Sequence, residues 1–140
     1  RLLKFKKKMN QSIISPAEER GRLPIIRKLT SSSFLLIISQ TQLNKSTINA
    51  NSTIRECFLE GGLIDFDKIE PGEKKIMPCK IYISGKTIET KVSLLIPKRR
   101  GETQPEPRFW PYKLAGFVEG GTELYFTISE GSLEVRDSLD

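Results

Sequence analysis

"IMPCKIYISGKTIETKVSLLI", residues 76–96, decides the architecture. Apolar, β-branched stretches at 76–83 and 86–96 flank Ser84-Gly85, a dipeptide suited to the positive φ angles of a two-residue hairpin turn. In the second half Ile88, Val92, Leu94 and Ile96 alternate on one side, with Thr90 between them. Glu89, Lys91 and Ser93 fall on the other. Period-two alternation of this kind describes a long strand with one face in a core and one in water.

The same reading extends in both directions. "LPIIRKL" (23–29) and "FLLIISQ" (34–40) are two further strands joined by a polar arm containing "TSSS". "TELYFTI" places Leu124, Phe126 and Ile128 inward, and "SLEVR" (132–136) is a closing strand. "TIRECFLEGG" (53–62) is the best helix: Thr53 and Glu56 have capping-box spacing, Ile54, Cys57 and Phe58 share a face, and Gly61 ends it. It is too short for a large binding surface and is expected to plug one end of a barrel. "LNKSTINANS" (43–52) reads as its solvated lead-in. Seven or so short strands and one or two short helices give a mostly-β barrel. The domain spans 23–137, and residues 1–22 form a basic tail or lead-in. The first residue is not Met, so the chain is read as a piece of a longer protein.

With 140 residues, 37% of them apolar and 29% charged, the chain has the size and balance of one globular domain. A formal charge of +6 favours polyanionic partners. No apolar run is long enough to cross a membrane as a helix. Cys57 and Cys79 lack metal-ligand spacing and read as buried free thiols of a reducing, cytoplasmic setting. The absence of histidine removes Ser-His-Asp and Cys-His nucleophile systems and every His-containing zinc site. No metal or other cofactor is expected.

The segment richest in binding chemistry is "KRRGETQPEPRFWPYK" (98–113), which leaves the strand 86–96 directly. Pro105, Pro107 and Pro111 stiffen it and exclude a helix, which lowers the entropy lost on binding. Lys98, Arg99 and Arg100 suit phosphates. Arg100 and Arg108 suit guanine, Gln104 adenine, Glu102 and Glu106 the cytosine amino group, and Thr103 the thymine methyl. Phe109, Trp110 and Tyr112 are too many aromatics for a plain surface loop, so Phe109 to Lys113 are expected to anchor the arm. A second contact arm is "RKLTSSS", where Arg27, Lys28, Thr30, Ser31, Ser32 and Ser33 offer cations and hydroxyls to phosphates.

Two rivals use other residues. An oligonucleotide-binding barrel would stack single-stranded bases on Phe109, Trp110 and Tyr112. A magnesium nuclease would place Asp67 beside Glu89-Thr90-Lys91 on adjacent strands, with the lysine orienting a water. An acid-x-Lys pair arises readily by chance, however, and Glu73-Lys74-Lys75 is a second instance. A barrel that binds protein, its charge incidental, is the remaining alternative.

The succession of strand, polar arm, strand, short helix, strand hairpin and then "KRRGETQPEPRFWPYKLAGFVEGGTELYFTI" resembles the DNA-binding pseudobarrel found at the N-terminus of EcoRII-type restriction endonucleases, related in fold to the plant "B-three" domain. The likeness covers roughly 23–128 and is most specific in its last thirty residues: Arg99-Arg100, the Gly101-Glu102-Thr103 turn, and Glu106-Pro107-Arg108 leading to Trp110. It implies an open seven-stranded pseudobarrel whose two arms clamp the major groove of double-stranded DNA. It further implies that this chain recognises a sequence without being an enzyme, and that a flanking catalytic domain or partner subunit cuts.

Overall fold

The computed structural model describes residues 25–139; the basic lead-in lies outside them. Its elements are β1 (Ile25–Thr30), β2 (Ser33–Ile37), helix α1 (Gln40–Lys45), β3 (Ile48–Asn49), helix α2 (Ser52–Glu60), β4 (Lys74–Ile83), β5 (Lys86–Leu95), β6 (Arg108–Pro111), β7 (Glu123–Ser129) and β8 (Ser132–Arg136). Single 3-10 turns lie at Phe66–Lys68 and Leu114–Gly116. The strands make one curled, open half-barrel in the order β1-β2-β7-β8-β4-β5-β6-β3. The fold is mostly β, with eight strands where the sequence suggested about seven. No helix among the described residues is long and apolar enough to cross a membrane.

β4 and β5 pair antiparallel without a slip from Ile83↔Lys86 to Lys74↔Leu95. Ser84 and Gly85 both have positive φ, 55° and 73°, the primed turn whose twist matches that of its strands. The expected faces hold, since Val92, Leu94 and Ile96 are buried whereas Glu89 and Lys91 are exposed. Leu124, Phe126 and Ile128 also point inward. One pairing departs from the antiparallel pattern. β8 lies parallel to β4, from Cys79↔Leu133 to Tyr82↔Arg136, and antiparallel to β7 on its other side.

Phenylalanines fill the concave face. Phe34 stacks on Phe126 with ring centres 4.8 Å apart, and Phe109 meets Phe126 edge-on at 5.9 Å. From α2, Phe58 meets Phe109 edge-on at 5.0 Å and approaches Phe34 at 6.0 Å. Offset and edge-to-face pairs contribute about 0.5–1.5 kcal/mol each beyond the area they bury. α2 thus closes the half-barrel, in the plugging role its length implied.

Its start differs from the expectation. Asn51, not Thr53, is the N-cap: its side chain accepts from the Ile54 amide at 3.0 Å. Starting there puts Ile54, Cys57 and Phe58 on the buried face. Asn51→Ala should therefore cost about 1 kcal/mol and lower the melting temperature by a few degrees, whereas Thr53→Ala should change it little. Thermal unfolding followed by circular dichroism compares the two.

Residues 43–52 are not a solvated lead-in either. Ser39 and Gln42 form a complete capping box that starts α1. Leu43, Ile48 and Ala50 are buried, and β3 pairs with β6.

Candidate nucleic-acid interface

Register fixes which loops share an end of the sheet. Ser33 of β2 lies opposite Thr127 of β7, Thr127 opposite Glu134 of β8, and β8 runs parallel to β4. The β1–β2 turn therefore lies at the same end as the start of β4 and the end of β5, where segment 96–107 departs. α2 lies between the two. At its N-terminal side Arg55 Nη1 donates to Ala50 O at 2.7 Å and to Glu106 Oε2 at 3.3 Å, and Ala50 N donates to Pro107 O at 2.8 Å. At its other end, a Cβ on Gly61 would stand 2.5 Å from Ile128 Cβ and 3.1 Å from Ser32 Cβ. The nine-residue α2 is about 13 Å long and separates the two loops.

The later arm is braced on both limbs. Gly72 N donates to Ile96 O at 2.6 Å and Ile96 N to Glu73 O at 3.1 Å, tying its departure to the lead of β4. The return limb is held at Glu106 and Pro107 by the α2 contacts. Gln104 Nε2 joins the limbs, donating to Pro97 O at 2.8 Å and Pro105 O at 3.2 Å. Beyond that brace, Arg100 and Thr103 exchange both backbone hydrogen bonds, at 2.8 and 3.0 Å. Gly101, at φ 63°, lets the chain reverse at a Gly101-Glu102 tip. Lys98, Arg99, Arg100, Glu102 and Thr103 are exposed. Arg99 Nη2 donates to Glu102 O at 3.2 Å. Among the described residues none of the three cations lies within ion-pair distance of a carboxylate.

Several expected contact residues have other work. The earlier arm is a tight turn in which Thr30 pairs with Ser33, leaving only Ser31 and Ser32 between the strands. Ser33 is buried, its hydroxyl 2.6 Å from Thr30 Oγ1. Ser32 N donates to Thr30 Oγ1 at 3.2 Å, and Ser32 O accepts from Ile128 N at 2.9 Å. The hydroxyls of Thr30 and Ser33 thus hold the turn together instead of facing a ligand. Arg27, Lys28 and Ser31 stay exposed, with Lys28 3.6 Å from Glu56. In the later arm Gln104 is spent on its brace and Glu106 on Arg55. Trp110 is buried with Phe109 in β6, as the anchoring reading required, so Trp110 is not a surface contact. Arg108, the first residue of β6, sits opposite Leu95 on the outer face of the sheet, behind the arm. Tyr112 remains 36% exposed.

The rival constellations do not assemble. With Phe109 1% and Trp110 7% exposed, two of the three rings of an oligonucleotide-binding stacking platform are closed, leaving Tyr112 alone. Asp67 lies in the 3-10 turn, whereas the strands beside β5 are β4 and β6, so the adjacent-strand Asp and Glu-x-Lys arrangement does not form. Among the described residues no cluster of three metal-ligating side chains occurs. Burial pushes both thiols up, that of Cys79 to about 12. The Cys57 thiol donates to Ser33 O at 3.7 Å and Thr30 O at 3.9 Å, helping to pin the turn. Neither is a thiolate at neutral pH. The sequence reading missed Arg55. Its position one turn into α2 marks it as a helix residue, and nothing local links it to Glu106, 51 positions away.

No protein-family model, curated protein or solved structure gives a match to this chain.

Proposed function

We propose that this domain is a sequence-specific binding module for double-stranded DNA. The observation that carries it is the braced arm, which holds Lys98, Arg99 and Arg100 exposed and unpaired among the described residues, across α2 from the cations of β1. Bracing the backbone that carries three cations before contact reduces the ordering cost of binding, and their unneutralised charge is the chemistry that displaces counterions from phosphates. Arg100, Glu102 and Thr103, at the tip, would read base edges. Lys98 and Arg99, with Arg27 and Lys28 on the other side, would hold the backbone. Catalysis is assigned to a flanking domain or partner subunit. Membership in a restriction system is the part of the proposal drawn from the resemblance of residues 98–128.

The test is selection of random duplexes on the domain at about 150 mM salt, followed by competition with single strands of the enriched sequence. Enrichment of one short motif, with single strands at least tenfold weaker competitors, is the expected outcome. Retention without enrichment would reduce the domain to a phosphate binder, and preference for single strands would overturn the duplex reading.

A further inference from the structure

On the outer face of the sheet, Lys74, Leu95 and Arg108 lie in register across β4, β5 and β6. Lys74 and Arg108 therefore stand two strand spacings apart, about 10 Å between backbones, within reach of one anion held between their long side chains. They border a groove of about 410 Å³, also lined by Ser46, Thr47, Trp110 and Tyr112, with no carboxylate in its wall. A small-molecule site needs roughly 300 Å³ or more.

Arg108 is the unusual member. It is half-buried, yet among the described residues its guanidinium meets no carboxylate and donates no hydrogen bond. Five donors on a partly desolvated cation call for an acceptor, and the geometry of a guanidinium fork suits a phosphate. About 13 Å further along the chain past the end of β6, at the groove's other end, the 36%-exposed Tyr112 offers a ring, and a base stacks readily on an aromatic face. The hydroxyls of Ser46 and Thr47, just past the end of α1, supply polar partners on the opposite wall.

We propose that this groove binds a nucleoside monophosphate unit, its phosphate between Lys74 and Arg108 and its base against Tyr112. The unit is either a free nucleotide or the 5′-phosphorylated end of a strand. The site lies on the outer face, away from the arm tip, and does not depend on the duplex reading.

Trp110, the one tryptophan of the sequence, lines the groove, so its emission reports occupancy. The experiment titrates the chain with AMP, adenosine, inorganic phosphate and a 5′-phosphorylated dinucleotide. AMP should change the emission saturably, with adenosine and phosphate at least tenfold weaker. A dinucleotide that binds tighter than AMP would identify a strand end as the natural source, and a weaker one a free nucleotide. Lys74→Ala should weaken AMP at least tenfold. Lys75→Ala, its exposed neighbour paired to Glu73 at 3.1 Å, should leave it unchanged. Unaltered emission with AMP, or equal weakening by both substitutions, overturns the proposal. Loss of duplex binding in the selection above would not affect it.

Discussion

Phe58→Ala is expected to lower the unfolding free energy by about 3–5 kcal/mol, the range for deleting a buried aromatic. Phe58 is fully buried and touches the rings of Phe34 and Phe109 as well as Phe66, the last at 6.3 Å. Its ring is what seats α2 in the open mouth of the sheet. The neighbouring rings belong to three separate elements, β2, β6 and the 3-10 turn at Phe66–Lys68, so the cavity cannot close by moving one side chain. Domains of this size have about 5–15 kcal/mol in total, and the loss removes a large part of it. Urea unfolding gives the number. A cost below about 1 kcal/mol would mean that α2 is not an integral part of the core. Because Arg55 and Gly61 tie the same helix to both loops, surviving Phe58→Ala protein should also bind DNA more weakly than its residual stability explains.

Replacing Lys98, Arg99 and Arg100 together by alanine should have the largest effect on binding. A charge-assisted contact contributes about 1.5 kcal/mol net at the low end of its range, so three lost contacts correspond to a roughly 10³-fold rise in Kd. The salt dependence discriminates further. Each neutralised phosphate contributes about 0.9 to the slope of log K against log salt, and the triple variant, which removes the two backbone holders Lys98 and Arg99, should lose about 1.8 from it. Folding should be untouched, since all three side chains are exposed. Fluorescence anisotropy over a salt series measures both quantities. An unchanged slope would place the phosphates elsewhere on the molecule.

Much of this fold is legible in residue order because its hairpins are local. Ser84-Gly85 and the alternation on either side of it specify β4 and β5 almost to the residue. The strand at Ser132–Arg136 is equally plain. Where a segment has two plausible local readings, tertiary contacts decide. "FLLIISQ" looks like a continuous strand through Gln40, but Ser39 and Gln42 satisfy each other's backbones and turn the chain into α1. Asn51 and Thr53 are both good caps, and burial of Ile54, Cys57 and Phe58 selects the earlier one.

For the site, the exposed cations of 98–100 and the anchoring aromatics behind them could be read from composition. What each polar side chain is bonded to could not. Gln104 and Glu106 have the chemistry of contact residues, yet their partners, the Pro97 carbonyl and Arg55, come from backbone paths that no local pattern records.

The placement of β8 has a consequence for how the chain is made. It is the last strand among the described residues, yet it stands in the middle of the sheet. β1, β2 and β7 lie on one side of it, and β4, β5, β6 and β3 on the other. Until Arg136 has been synthesised, the growing polypeptide holds two partial sheets, each presenting an unpaired inner edge. Nascent chains in that condition are exposed to mispairing and to chaperones. Deleting β8 would therefore leave two partial sheets with no strand pairing between them, joined only through side-chain packing such as that of Phe109 against Phe126.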